Sequence, residues 1–148
     1  MSPDRLFRRL AVVEAVTWSL LLVGMVLKYV TETTELGVRV FGMLHGVAFV
    51  AYCVATAVVA VDQRWSPRRT LAALACAVPP LATVPLERYA ASHGWLAPTW
   101  RLAVQPPARA LDRPTAWLVR NPLRGLLAGI LAVAALTGLA LVVGPPTS

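Results

Sequence analysis

The chain has 148 residues, 57% of them hydrophobic and 14% charged, against roughly 25% charged in an ordinary soluble domain. Its apolar residues fall in separate runs without a polar face, which excludes a soluble domain with one core and points to lipid as the surrounding solvent. The net charge of +7, carried by thirteen arginines and Lys28, lies between those runs, where anionic lipid headgroups are the expected partner and nucleic acid is not.

The first apolar run, Leu10 to Leu27, predicts a helix from about residue 6 to 29. Its apolar part spans roughly 27 Å at 1.5 Å per residue, enough to cross a bilayer core. Arg5, Arg8 and Arg9 ahead of it resemble the start of a secretory signal. Glu14 interrupts the run, however, and no small-x-small cleavage site precedes Thr31, so an uncleaved helix is expected. The short connector Thr31 to Gly37 forces the next helix, about 38–61, into an antiparallel hairpin with the first. Gly42 and Gly46 in this second helix have the spacing that lets another helix backbone approach closely.

Asp62 to Arg69, with Pro67 and three arginines, reads as a turn. The third apolar run, 70–86, would span only roughly 25 Å and contains Pro79, Pro80 and Pro85, so a kinked or re-entrant helix is expected. Residues 91–121 mix arginine and proline with Trp95, Trp100 and Trp117, a composition suited to the headgroup zone, with Asp112 and Pro114 marking one short helix start. The last helix starts at Asn121 and Pro122, spans roughly 33 Å and should stop at Gly144, Pro145 and Pro146. Gly125 and Gly129 repeat the close-packing spacing. Three regions result: a membrane domain at 1–90, an interfacial segment at 91–121, and a C-terminal transmembrane helix and tail at 122–148.

Arginine counts bear on topology. Four full spans place six basic residues on the N-terminal side and eight on the other, whereas a re-entrant third segment makes the count twelve against two. The positive-inside rule therefore favours three spans with a cytoplasmic N-terminus.

Two residues inside the spans carry the candidate chemistry, because an ionisable group at the helix centre costs roughly 2.5 to 3.5 kcal/mol to insert. Glu14 shares a stripe with Trp18, Leu21, Met25 and Lys28, and His45 shares one with Phe49, Tyr52 and Thr56. With Lys28 and Arg39 as the outer edge, helix rise puts Glu14 roughly 21 Å deep, Tyr52 roughly 20 Å and His45 roughly 9 Å. Within the hairpin Tyr52 is thus the expected partner of Glu14, the alternative being a group on another chain, and His45 stands apart, below an outer rim of Lys28, Glu32, Glu35 and Arg39, joined by Glu87 and Arg88 if the third segment spans. Glu14 reads as a cross-helix hydrogen-bonding group or a proton or ion relay, and His45 as a structural histidine, a proton carrier or a lone ligand. One histidine makes a poor metal or haem site, so no cofactor and no metal are expected. Cys53 and Cys76 fit small reduced residues, and no nucleophile motif or phosphate loop points to an enzyme.

The residues Phe7-Arg8, Glu14-Ala15, Trp18, Lys28-Tyr29, Gly42, His45-Gly46, Phe49, Tyr52, Pro79-Pro80 and Glu87-Arg88-Tyr89 carry a resemblance. In these the chain resembles domain-of-unknown-function family 3817, short bacterial integral membrane proteins, over about residues 5–90. The resemblance implies location and architecture and no activity.

The expected fold is therefore an all-α integral membrane bundle of three to four transmembrane helices in the plasma membrane. The expected role is a small accessory or structural component that packs with itself or a larger membrane protein. A small oligomeric transporter or channel-like protein using Glu14, Tyr52 and His45 is the alternative.

Overall fold

Two proline placements and one proline pair set the element order in the computed structural model, which describes residues 1–143; Gly144, Pro145 and Pro146, the expected stop of the last helix, lie outside them. Pro3 opens α1 (Pro3–Tyr29), and α2 (Leu36–Asp62) follows a six-residue connector. Pro67 opens α3 (Pro67–Ala75), with the Ser66 hydroxyl accepting from the Arg69 N–H as its cap. The pair Pro79-Pro80 lies in the break before α4 (Thr83–Ser92), where Leu81 takes a positive φ of 65°. Two short helices, α5 (Arg101–Val104) and α6 (Asp112–Arg120), precede α7 (Pro122–Val143), and no strand occurs among the described residues.

Among the described residues three helices, α1, α2 and α7, are long and apolar enough to cross a membrane. The third apolar run is not one of them. It is divided into α3 and α4, and nine residues of α3 rise only about 14 Å.

The path of α3 and α4 is fixed by what each residue meets. Beyond Trp65, α3 climbs alongside α2 until the Ala73 carbonyl accepts from the Tyr52 hydroxyl at 3.1 Å. The Ala77 carbonyl then accepts from the Trp18 indole at 3.3 Å. After the break, Thr83 bonds to the Ala11 carbonyl of α1, and Ala90 returns to the buried cluster that holds Phe7 and Trp65. The Trp65 indole donates to the Trp95 carbonyl at 2.7 Å, so the chain comes back to the end from which it left. This is the re-entrant alternative, and it places twelve basic residues at the N-terminal end and only Lys28 and Arg39 at the other.

Residues 93–121 cover that basic end. Asp62, the last residue of α2, accepts from the backbone N–H groups of Arg101 and Leu102 at 3.1 and 2.9 Å. The Arg101 guanidinium bonds to the Val61 and Asp62 carbonyls and pairs with Asp112 at 3.2 Å. The Trp100 indole reaches the Met1 carbonyl at 2.7 Å. The short helix expected at Asp112 is α6, and the segment is a folded cap of broken helices.

Candidate functional site

The register of the α1–α2 hairpin decides which polar side chains can meet. A Cβ on Gly24 would lie 2.7 Å from the Gly37 carbonyl carbon, so the two backbones touch there. Lower down, Thr17 Oγ1 lies 3.2 Å from His45 Nδ1, and the Phe7 and Tyr52 rings pack with centroids 5.5 Å apart. These pairs show antiparallel helices in which Gly24 faces Gly37, Thr17 faces His45 and Phe7 faces Tyr52.

That register corrects the depth argument from sequence. Measured from Lys28 and Arg39, His45 is expected near the outer third and Tyr52 level with Glu14. In fact His45 is level with Thr17, one turn from Glu14, and Tyr52 lies lower, beside Phe7. The error comes from treating the connector as symmetric, whereas α1 extends well past the level at which α2 begins.

Glu14 is fully buried, and its partner is Thr83 of the re-entrant hairpin, not Tyr52. Thr83 Oγ1 lies 2.7 Å from Glu14 Oε2 and 3.0 Å from the Ala11 carbonyl oxygen. One hydroxyl proton serves one acceptor at a time. Both contacts become hydrogen bonds when Thr83 donates to Ala11 and the carboxyl supplies the proton for the other. Glu14 Oε1 is buried and has no hydrogen-bond partner among the described residues.

His45 is buried between α1 residues. The Thr17 hydroxyl lies 2.9 Å from the Glu14 carbonyl and 3.2 Å from His45 Nδ1, and both contacts are hydrogen bonds when Thr17 donates to the carbonyl and a protonated Nδ1 donates to Thr17. Trp18 packs on the imidazole with centroids 4.5 Å apart. Glu14 and His45 are thus neighbours joined through Thr17 to a backbone carbonyl, with no side-chain bond between them. Tyr52 is spent on the Ala73 carbonyl.

Glu14 and Trp18 on α1 and Tyr52 on α2 therefore reach the same structure, the α3–α4 hairpin. They satisfy polar atoms that the proline-rich break brings into the membrane, where an unpaired backbone group costs several kcal/mol. Thr17 and Thr83 complete the site, and neither is among the candidate site residues read from the sequence. A threonine in an apolar helix gives no signal of its own, and the direction in which α4 returns is invisible without the fold.

Other expectations change. Glu87 and Arg88 do not belong to the outer rim, because α4 descends from Thr83 and carries them to the basic end; Glu87 is buried and Arg88 exposed. At the opposite end Lys28 pairs with Glu35 at 3.5 Å, a solvated pair of small energetic weight, while Glu32 sits at a positive φ of 51° and Arg39 is exposed. A cleft of about 410 Å³ lined by Lys28, Glu32, Thr33, Thr34 and Glu35 is open to solvent and does not include His45.

The expected glycine contacts are also displaced. Gly42 meets only the Leu21 side chain at an ordinary 3.7 Å, and Gly46 and Gly129 face open space. A Cβ on Gly125 would collide with the Leu118 carbonyl, so this glycine permits the tight corner from α6 into α7 and does not mark a contact between spanning helices. The close backbone approach in the hairpin belongs to Gly24 and Gly37. Cys53 and Cys76 are free and half-buried, and among the described residues no group of three or more His, Cys, Asp or Glu side chains is arranged to hold a metal ion.

A family model described as a domain of unknown function (DUF3817) matches residues 5–92, from the start of α1 through the end of α4. The chain belongs to this family. Glu14, Thr17, His45, Tyr52 and Thr83 all fall inside the DUF3817 match, whereas α5, α6 and α7 lie outside it. A Streptomyces coelicolor protein named "Putative membrane protein SCO5905" is 50% identical over 93 residues, which cover 62% of this chain and 11% of that protein. This chain therefore spans only a small part of the relative's length. No solved structure matches the chain.

Proposed function

We propose that this DUF3817 protein is a small non-enzymatic accessory module of the plasma membrane, with its N-terminus in the cytoplasm, that packs with itself or with a larger membrane protein. The observation that carries this reading is the use made of its intramembrane polar groups. Thr83 and the Ala73 carbonyl engage Glu14 and Tyr52 within one chain and fix the re-entrant hairpin, while Thr17 engages His45 across the α1–α2 pair. Two clefts, of about 580 and 410 Å³, are open surface grooves at the two ends, and neither contains any of the three.

Two further observations support it. No residue of α7 is buried, although the helix is of membrane-crossing length, so it offers a whole face to lipid or to another helix. The Streptomyces coelicolor relative carries the matching stretch as 11% of its length, a context in which the module sits beside other sequence. The twelve-to-two charge distribution supports the cytoplasmic N-terminus under the positive-inside rule.

The oligomeric transporter reading draws on one observation, the buried and unpartnered Glu14 Oε1. Mass and flux measurements separate the two. The accessory reading expects a mass above the monomer or a co-purifying membrane protein in native-like lipid, and proton or solute flux in vesicles that is unaltered by Glu14→Gln or His45→Ala. A monomer without partners, or a flux abolished by Glu14→Gln, overturns it.

A further inference from the structure

The face of α1 opposite Glu14 plays no part in the hairpin. Arg5, Arg8, Arg9, Val12, Val13 and Val16 recur there at helical spacings of three and four, and all six are exposed. Arg5, Arg8, Arg9, Val12 and Val13 line an open groove of about 580 Å³. Among the described residues the two ion pairs are Lys28–Glu35 and Arg101–Asp112, so none of these three guanidiniums is ion-paired; Asp4 is the carboxylate beside them, next to Arg5. Arg9 reaches only the Met1 sulfur, at 3.5 Å.

We propose that this face binds one anionic phospholipid, its phosphate held by Arg5, Arg8 and Arg9 and an acyl chain laid along Val12, Val13 and Val16. Charge and polarity change in the order a lipid requires. The guanidiniums occupy the first two turns of a spanning helix, at headgroup level, where the positive end of the helix dipole adds to their field. A guanidinium fork matches phosphate oxygens in a bidentate geometry. The valines begin one turn deeper and are 45%, 47% and 53% exposed, on a surface that in a membrane faces acyl chains. A free phosphate would use the arginines alone and leave the valine ridge without a role. The inference rests on α1 spanning the bilayer and is independent of the accessory role.

The test uses the full chain in detergent, titrated with short-chain phosphatidylglycerol and read by native mass spectrometry, with phosphatidylcholine and inorganic phosphate in parallel. Arg8→Gln/Arg9→Gln should weaken phosphatidylglycerol binding by about thirtyfold, at roughly one surface-charge increment per arginine. Arg109→Gln/Arg113→Gln removes the same charge from the same end and should weaken it less than about threefold, because bulk surface charge is the smaller contribution there. Both variants keep ten basic residues at that end to set orientation. Arg8→Lys/Arg9→Lys keeps the charge and should still lose affinity severalfold through loss of the fork, which preserves the test if the glutamine variant does not fold. Equal losses in the two glutamine variants, unchanged binding in the lysine variant, displacement by inorganic phosphate, or no preference over phosphatidylcholine would each overturn the site.

Discussion

The Thr83 hydroxyl lies 2.7 Å from Glu14 Oε2, joining residues 69 positions apart across the interface between a spanning helix and a hairpin that enters the membrane and turns back. The same hydroxyl contacts the Ala11 carbonyl, so a single side chain attaches α4 to α1 at two points.

Removing one partner of this pair should cost more than removing both. Thr83→Val leaves a buried carboxyl with neither oxygen engaged, which should destabilise the protein by about 1–3 kcal/mol. Thr83→Val combined with Glu14→Leu replaces the pair by apolar groups and should recover most of that loss. Equilibrium unfolding in mixed micelles reads both; a double variant as unstable as the sum of its singles would argue against the pairing.

Gly24 and Gly46 give opposite expectations for the same substitution. Gly24→Ala puts a methyl against the Gly37 backbone, which has no flexible end to yield, so the hairpin should lose about 1–3 kcal/mol. Gly46→Ala enters open space and should be neutral or stabilising by up to about 1 kcal/mol through helix propensity. Thermal unfolding of the two variants under one condition checks the contrast, and comparable destabilisation in both would mean that Gly46 has a neighbour in a second chain.

Much of this architecture is legible in the sequence. The spans follow from run length, and the re-entrant third segment follows from its prolines together with the charge count. The α1–α2 register is not, because it depends on the Gly24–Gly37 contact and on an asymmetric connector, and an error of a few residues there moves Tyr52 from the level of Glu14 to that of Phe7. Thr83 is hidden for a related reason. Which face of α4 meets Glu14 is set by the geometry of the seven residues from Cys76 to Ala82, and no periodicity carries through a break. Glu87 and Arg88 join the outer rim only if the third segment spans, and their end of the bundle reverses once it turns back.

The interfacial cap should loosen in acid. Burial alone would raise the Asp112 carboxyl, but the backbone N–H groups of Ala108 and Arg109 and the Arg101 guanidinium outweigh it and hold the group below the usual carboxylate range. A folded pKa below the unfolded one contributes stability that is fully present above the unfolded value, about 3.9 for Asp, and is lost as pH falls through the folded value. The protection of α6 amides, taken relative to their intrinsic exchange rate, should therefore fall below about pH 4, and Asp112→Asn should show the lower protection already at neutral pH. An α6 exchange rate that is the same in both proteins across this range would remove Asp112 from its role.

The re-entrant hairpin itself is open to direct measurement by the side from which its flanks are reached. In a background with Cys53 and Cys76 replaced by alanine, single cysteines at Ser2, Thr34 and Pro106 would be labelled with a membrane-impermeant thiol reagent in sealed vesicles of known orientation. Ser2→Cys and Pro106→Cys should react from the same side, and Thr34→Cys from the other. Labelling of Pro106→Cys from the side of Thr34→Cys would mean that residues 70–86 cross the membrane, and would contradict the placement of α3, α4 and the Glu14–Thr83 contact together.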